Sequence, residues 1–229
     1  MNQKFVSVVL PCLNEQPTIS RCIEKIKSVL RANAINGEII VVDNGSNDGS
    51  AEIARALGVK VLHQNVRGYG AAYLLGFNEA KGETIVMADS DGTYDFSEIP
   101  SLLSPIDSGS ADFVIGSRFK GKIAPGAMKP LHQFIGNPLL TFVFNLFFSS
   151  SLSDTHSGFR AFKKSFLEKA EFRQLGMQFA LEMLVNAKKQ KLEISEVPIT
   201  YSARSGVSKM NSLRDGLKHF FFILGARFS

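Results

Sequence analysis

The first 117 residues alternate short apolar runs with amphipathic segments, and this alternation restricts the fold more than any other feature of the sequence. Apolar runs of the kind found in buried parallel strands occupy residues 5–10, 38–42, 59–63, 84–88 and 112–117. Segments with helical spacing lie between them, at residues 17–34, 51–57, 69–80 and 97–108. This alternation predicts an α/β fold in which helices flank a mostly parallel central sheet.

The second half of the chain has a less regular pattern. Residues 120–129 contain the glycines and prolines of a loop, and residues 131–148 are almost entirely apolar. The remaining pattern predicts a strand, two helices, a strand and a last helix at residues 159–162, 165–170, 179–189, 193–200 and 211–228. We find no internal repeat and no low-complexity linker. The 229 residues, 45% of them hydrophobic, are therefore expected to form one domain with a sizeable core.

Acidic and amide side chains follow three of the predicted strands. They are Asn14 and Glu15 after the first strand, Asp43 after the second, and Asp89 and Asp91 after the fourth. Because the carboxyl ends of parallel strands meet at one edge of a sheet, we expect these side chains to share a cleft. The two aspartates can hold a hard divalent cation that takes its other ligands from water and phosphates. An Asp-x-Asp-Gly sequence is also common in simple turns.

Other polar positions allow more than one interpretation. Asp43 can accept hydrogen bonds from a nucleobase, or it can cap the turn that follows it. Arg67 and Gly68 open a segment that resembles a phosphate-binding turn at a helix N-terminus. Tyr73 stands where the dinucleotide fingerprint needs its last small residue, which argues against a nicotinamide dehydrogenase. His132 and His156 are predicted to be polar loop residues, because no third ligand lies at a metal-site spacing.

Basic residues lie in three separate loops of the second half, and the chain as a whole is basic. They are Arg118, Arg160, Arg204 and Lys209, which we predict to bind phosphate groups. The net charge of +5 and the pI of about 9.2 favour an anionic partner such as a nucleotide or a lipid phosphate. Basic residues and stacking aromatics do not share one stripe, so we expect no nucleic-acid binding.

The sequence also suggests where the protein works. Two cysteines without a disulfide or metal spacing indicate a reducing compartment. We find no signal-peptide pattern and no run of 18 apolar residues, which predicts a cytoplasmic protein. Residues 131–148 can form either a core helix pair or a segment that lies on a bilayer, and we favour the latter. The apolar residues 220–228 extend the same surface or mediate self-association.

Seven motifs in order resemble family 2 glycosyltransferases. The first four are VVLPCLNE at 8–15, VVDNGSNDGS at 41–50, RGYG at 67–70 and ADSDGTY at 88–94. The others are GSRF at 116–119, DTHSGFRAF at 154–162 and YSARSGVSK at 201–209. Together they resemble the polyprenyl-phosphate sugar transferase branch, which includes dolichol-phosphate mannose and glucose synthases. The resemblance covers nearly the whole chain.

This resemblance implies a GT-A fold in a single catalytic domain, 1–229. Residues 1–118 would bind the nucleotide sugar, and 119–229 would bind the acceptor through interfacial helices at 131–148 and 211–228. The expected substrates and cofactor are a nucleotide-sugar donor, a polyprenyl phosphate and Mg²⁺ or Mn²⁺, at the cytoplasmic face of a membrane.

The resemblance also assigns roles to individual residues. The implied nucleotide-sugar contacts are Pro11, Asn14, Glu15, Asp43, Arg67, Gly68, Asp89 and Ser90, and the implied metal ligands are Asp89, Asp91 and Thr93. The implied catalytic group is Asp91, Arg118, Asp154 and Arg160, and the implied acceptor-phosphate contacts are Arg118, Arg160, Arg204 and Lys209. Mannosyl members often have Gln at the place of Thr93, which shifts our expectation from mannose toward glucose.

A lipid phosphate is already anionic, so transfer to it needs cations rather than a base. We therefore expect a single displacement with inversion, in which Asp154 orients the acceptor or Arg160. If the acceptor is instead a glycan or small-molecule hydroxyl, Asp154 is the leading general base and Glu182 a weaker one. A non-catalytic nucleotide-binding protein is a further alternative.

Overall fold

The structure, a computed structural model, describes residues 5–205 and 212–227, with residues 212–215 described by their backbone alone. The strands are β1 (Val6–Cys12), β2 (Gly37–Asp43), β3 (Lys60–His63), β4 (Thr84–Met87), β5 (Phe113–Ile123), β6 (Arg160–Lys163) and β7 (Ile194–Tyr201). The helices are α1 (Gln16–Ala32), α2 (Ser50–Ala56), α3 (Tyr69–Glu79), α4 (Ile99–Asp107), α5 (Asn137–Phe148), α6 (Phe179–Lys189) and α7 (Ser212–Arg227).

The seven strands form one sheet in the order β3-β2-β1-β4-β6-β5-β7. Only β6 runs antiparallel to its neighbours β4 and β5, and the other described pairs are parallel. The mostly parallel sheet predicted from the alternating pattern is therefore confirmed. Because β2, β1 and β4 are adjacent and parallel, the loops that follow them lie at the same edge.

Two apolar layers cover the two faces of this sheet. In β1, Val8 and Leu10 pack into the layer that contains α1 and α4, while Val9 packs into the layer of α3 and α6. This follows from the two-residue period of a strand, which sends successive side chains to opposite faces. Helix α3 lies close to the sheet at Gly76, where a Cβ atom would come within 2.4 Å of Val9.

The region after β5 differs from the prediction in its details. Strand β5 continues to Ile123, beyond the predicted end at residue 117, because it resumes pairing with β7 after an irregularity between Ser117 and Lys122. The apolar segment begins with a π-helical turn at His132–Gly136, and α5 starts at Asn137 with a proline in its first turn. Proline is tolerated there because the first-turn N–H groups have no partner within the helix.

Helix α5 packs on the rest of the protein through Leu140, Thr141 and Phe144, and it contacts α7. None of the helices in the described part of the chain is both long enough and apolar enough to cross a membrane.

Candidate active site

The loops after β1, β2 and β4 are joined by hydrogen bonds into one rim. The Ser90 hydroxyl donates to the carbonyl of Pro11 at 2.6 Å, and Thr18 donates to the carbonyl of Ser90 at 2.7 Å. On the other side, the Ser46 hydroxyl accepts from the backbone N–H of Asn14 at 2.9 Å. The three strand ends therefore lie together at one edge of the sheet, as the sequence predicted, and their shared role in binding stays a prediction.

Asn14 and Glu15 bind the loop that follows β2. Asn14 has a positive φ of 55°, and its side-chain oxygen accepts from the N–H of Asn47 at 2.9 Å. The N–H of Glu15 donates to the Ser50 hydroxyl at 2.9 Å. These contacts fix the backbone of the rim.

Asp43 caps the turn that follows it and also contacts a histidine ring. One oxygen accepts from the N–H of Ser46 at 2.9 Å, and the other lies 3.1 Å from Nδ1 of His63. Burial raises the pKa of this carboxyl, but the hydrogen bonds from Ser46 and His63 outweigh it and lower the pKa. Sequence reasoning did not single out His63, although its place opposite Asp43 at the end of β3 is a signal that could have found it.

Asp89 and Asp91 lie side by side in different surroundings. Asp91 accepts from both the N–H and the hydroxyl of Thr93, at 3.1 and 2.7 Å. Asp89 lies against Tyr73, whose hydroxyl is 3.4 Å from Oδ1. Burial, and next the negative charge of Asp91, raise the pKa of Asp89 to about 7. The Tyr73 contact was not predicted, because it depends on how α3 packs beneath the loop after β4.

The donor chemistry of this pair fits a hard divalent cation bound together with a substrate. Two partly buried carboxylates repel each other, and a cation between them would stabilise both negative charges. Among the side chains that the structure describes, no group of three or more from His, Cys, Asp and Glu is placed to hold a metal ion. An ion at Asp89 and Asp91 would therefore need further oxygen ligands from phosphates and water, as Mg²⁺ commonly does. The Thr93 hydroxyl donates a hydrogen bond to Asp91 and so helps to hold the Asp91 carboxylate in place.

Arg204 reaches this acidic pair from the segment after β7. Its Nη2 donates to Oε1 of Glu15, and its Nη1 lies 3.5 Å from Oδ2 of Asp91. The side chain thus links a residue from the first rim loop with one from the third. Its Nε is buried and has no hydrogen-bond partner among the described residues. Lys209, the other cation predicted in this loop, lies outside the described residues.

Arg118 and Asp154 form a buried ion pair beside the rim. Nε and Nη2 of Arg118 donate to the two carboxylate oxygens at 2.7 and 2.8 Å, and the Arg118 side chain is 8% exposed. The guanidinium also lies over the ring of Tyr201, 5.2 Å from its centroid. Tyr201 connects this pair to the acidic pair, because the neighbouring N–H of Ser202 donates to the carbonyl of Thr93.

Asp154 was expected to orient the acceptor or Arg160. In the structure its carboxylate forms an ion pair with Arg118 instead. It also accepts from the N–H groups of Arg118, His156 and Ser157, each at 3.1 Å. Burial raises the pKa of Asp154, but the charge and hydrogen bonds of Arg118 outweigh it and hold the pKa below its usual value. A carboxylate with these contacts is a poor general base.

Arg160 has no contact of the kind expected for a phosphate ligand. Its side chain is fully buried, and its three nitrogens donate to the backbone carbonyls of Ser157, Ala180 and Thr155 at 2.6–3.0 Å. The predicted catalytic role of Arg160 is therefore replaced by a structural one. It holds the loop of Asp154 against α6, and sequence alone could not separate this arginine from the others.

Two further predicted contacts have local explanations. Arg67 donates to the carbonyl of Gly45 at 3.1 Å, at the outer side of the rim. The N–H of Gly68 donates to Asn44 at 2.8 Å, and a Cβ atom at this position would lie 2.1 Å from the carbonyl oxygen of Leu175. The glycine is needed for this close packing, whether or not a phosphate binds here.

An apolar stripe covers the outer side of α5 and the turn before it. Its members are Leu131, Phe134, Ile135, Leu139, Phe142 and Leu146, which are 53–71% exposed. Apart from the adjacent Phe134 and Ile135, they are three or four residues apart, which places them on one side of the segment. Phe221 on α7 is another large exposed aromatic side chain, at 65%. A contiguous exposed apolar surface of this kind is typical of a membrane or protein contact.

Comparison with known proteins agrees with these features. The family model for glycosyl transferase family 2 matches residues 7–170. The low-salt glycan biosynthesis hexosyltransferase Agl6 of Haloferax volcanii is 45% identical over 219 residues, which cover 96% of this chain and 53% of that protein. The dolichol-phosphate mannosyltransferase of Pyrococcus furiosus is 31% identical over 234 residues, covering 96% of this chain and 63% of that protein. The chain therefore spans about half to two thirds of the length of these relatives.

A solved structure gives the same fold. Glucosyl-3-phosphoglycerate synthase from Mycobacterium tuberculosis, in complex with Mn²⁺, UDP-glucose and phosphoglyceric acid, aligns with a TM-score of 0.77 at 22% identity. The alignment covers 98% of this chain and 80% of that chain, and it confirms the expected GT-A fold. Since the family model spans most of the chain and the Haloferax relative covers nearly all of it, this protein belongs to glycosyltransferase family 2.

Proposed function

We propose that this chain transfers a hexose from a nucleotide sugar to a polyprenyl phosphate, with inversion at the anomeric carbon and with the help of Mg²⁺ or Mn²⁺. The observation that carries the choice of acceptor is the state of Asp154. Its carboxylate accepts from Arg118 and from the N–H groups of the following turn, so it is poorly suited to deprotonate a hydroxyl. A phosphate acceptor needs no such base.

Names of relatives support the same proposal. The matched relatives include the dolichol-phosphate mannosyltransferase of Pyrococcus furiosus and a dolichyl-phosphate hexose transferase of Haloferax volcanii. The latter is 29% identical over 212 residues, covering 92% of this chain and 89% of that protein. The solved GT-A structure in complex with Mn²⁺ and UDP-glucose supports the donor class and the metal.

The rim would bind the donor and the guanidinium groups would bind the acceptor. In our proposal, Asp43, Asn14 and Glu15 hold the nucleoside, and Asp89 with Asp91 hold the cation. A bound Mg²⁺ or Mn²⁺ would offset the charge of the diphosphate leaving group. Arg118 and Arg204 would hold the acceptor phosphate and reduce its repulsion from the donor.

The proposed step is one displacement. An oxygen of the acceptor phosphate forms a bond to the anomeric carbon, while the bond from that carbon to the β-phosphate oxygen of the donor breaks. The electron pair leaves with the nucleoside diphosphate, and no proton has to move. Arg118 and Arg204 contribute by placing the nucleophilic oxygen and by stabilising charge that is already present.

The test is a donor screen with purified protein, a short-chain polyprenyl phosphate and either Mg²⁺ or Mn²⁺. UDP-glucose, UDP-N-acetylglucosamine and GDP-mannose would be compared, and both nucleotide release and the lipid product would be followed. We expect a sugar-lipid from one donor, lost after chelation of the metal. Nucleotide release that requires a soluble hydroxyl acceptor, without any lipid product, would overturn the proposed acceptor.

Arg204→Met is expected to raise KM for the polyprenyl phosphate about tenfold, because it removes a charge-assisted hydrogen bond to the acceptor. It also removes a positive charge 3.5 Å from Asp91, so Mn²⁺ alone should bind more tightly to the donor-free protein. Acceptor kinetics and a Mn²⁺ titration followed by electron paramagnetic resonance would measure the two effects. Arg55→Met, which alters an exposed pair with Glu52, is the matched control. An unchanged acceptor KM would remove Arg204 from the acceptor site.

The apolar stripe is proposed to lie on the membrane that carries the acceptor. Changing Phe134, Leu139 and Phe142 together to serine should weaken vesicle binding at least tenfold, since each buried large apolar side chain contributes about 1.5–3 kcal/mol. Because these side chains are 55–71% exposed, the melting temperature should hardly change. Cosedimentation with vesicles of defined composition would measure the effect. Equal sedimentation of the variant and the parent would exclude this surface as the membrane contact.

A further inference from the structure

Glu196, on β7, is a buried carboxylate that the proposed reaction does not use directly. Its side chain is 3% exposed, and one of its oxygens is 2.9 Å from Nζ of Lys120. The other oxygen, Oε1, accepts from the N–H and the hydroxyl of Ser153, both at 2.9 Å, and from the N–H of Asp154 at 3.0 Å. A single carboxylate therefore fixes the backbone of two consecutive residues in the loop that carries Asp154.

This loop determines where Arg118 points. Asp154 accepts hydrogen bonds from Nε and Nη2 of Arg118, so the position of the carboxylate determines the orientation of the guanidinium plane. Tyr201 supports one face of the same guanidinium. Nη1 is the guanidinium nitrogen of Arg118 that does not donate to Asp154. A shift of the Asp154 backbone would rotate this nitrogen away from its present direction.

Two cations, Lys120 and Arg118, lie at the ends of this chain of contacts, with two carboxylates between them. Lys120 pairs with Glu196, and Glu196 holds the loop that presents Asp154 to Arg118. The Ser117 and Ser153 hydroxyls, 2.6 Å apart, join the loop to β5 beside Arg118 itself. The loop is thus held by β7 through Glu196 and by β5 through Ser117, and only the first of these attachments involves a charge.

We propose that Glu196 is a positioning residue for the acceptor site, which acts on Arg118 through the backbone of Ser153 and Asp154. This inference rests on the proposed function, because it takes Arg118 to be a ligand of the acceptor phosphate. Glu196 itself touches neither substrate. Its effect should therefore appear in the use of the acceptor and leave the use of the donor unchanged.

The first test is Glu196→Gln, which keeps the shape of the side chain and removes its charge. We expect KM for the polyprenyl phosphate to rise about tenfold, the size expected from weakening a charge-assisted hydrogen-bond set, with KM for the nucleotide sugar unchanged. Glu98→Gln is the matched control, because Glu98 also accepts from the backbone of β7, at the N–H of Thr200, but does not contact Asp154. An equal effect of the two variants would overturn the proposal.

A double-mutant cycle separates positioning from general destabilisation. If Glu196 acts through Arg118, adding Glu196→Gln to Arg118→Lys should change the acceptor KM much less than Glu196→Gln does alone. Additive effects would contradict the proposal. If melting shows that Glu196→Gln does not fold, Ser153→Ala removes one of the three hydrogen bonds to Oε1 and serves in the same cycle.

A readout without turnover keeps this inference separate from the proposed function. The Nε–H group of Arg118 donates at 2.7 Å to Asp154, so its signal in ¹⁵N-resolved NMR should be shifted and protected from exchange. Glu196→Gln should reduce that protection, and Glu98→Gln should not. A parent protein that is inactive with every lipid phosphate would refute the proposed function, whereas an unchanged Arg118 signal would refute the role of Glu196.

Discussion

Asp91→Asn is expected to reduce turnover about a thousandfold, because metal stabilisation of the leaving group contributes several kcal/mol and each 1.36 kcal/mol is a factor of ten. The substitution keeps an oxygen that can accept from Thr93, so the loop should retain its shape. It removes one of the two carboxylates that would hold the cation. The measurement is the initial rate of nucleotide release over a range of Mn²⁺ concentrations.

Asp95→Asn is the control for this experiment. Asp95 lies four residues further along and caps the next turn by accepting from the N–H of Ser97, a role that asparagine also fills well. Its activity should match that of the parent. If Asp91→Asn keeps its rate while Mn²⁺ binding is lost, the metal has no part in turnover. A rate and a metal affinity that are both unchanged would show that Asp91 is not a ligand.

Asp154→Asn is expected to lower the free energy of unfolding by about 3–5 kcal/mol, because it leaves the buried guanidinium of Arg118 without its charged partner. For a domain of this size the melting temperature should fall by roughly 10 °C. The matched control is Asp112→Asn, which breaks a half-exposed pair with Lys163 and should cost less than about 1 kcal/mol. Urea unfolding of the three proteins would measure these differences.

The same pair should make stability depend on pH. The pKa of Asp154 is lower in the folded protein than in the unfolded chain, because Arg118 outweighs the effect of burial. The stabilisation is thus complete above the unfolded value of about 3.9 and is lost as the pH falls through the folded pKa. The parent should lose stability below about pH 4, and Asp154→Asn should lose less over that range. If the free energy of unfolding falls equally steeply with decreasing pH in both proteins, this assignment is contradicted.

Asp154 and Asp91 differ in how their negative charges are compensated. Both are buried aspartates in loops. Asp154 is neutralised by a bidentate guanidinium, whereas Asp91 is approached by Arg204 at 3.5 Å and lies next to another carboxylate. The first arrangement suits a permanent structural contact. The second leaves a negative charge that a bound cation could compensate.

The sequence by itself determined the layered fold and the edge of the sheet at which the acidic strand ends meet. Short continuous apolar runs that alternate with segments of helical spacing favour central strands with parallel connections. These are local properties of the chain, and they also place Asp43, Asp89 and Asp91 at strand ends. The motif order was enough to indicate the family, which the family model and the relatives confirm.

Only the tertiary structure decided what each charged side chain does. Arg118, Arg160 and Arg204 look alike in sequence, yet one pairs with Asp154, one is buried among backbone carbonyls, and one reaches the acidic pair. Glu196 stands 42 residues from Asp154 and has no local pattern that marks it. The roles of such residues depend on which loops meet across the sheet. That depends on long-range packing, which hydrophobic periodicity does not encode.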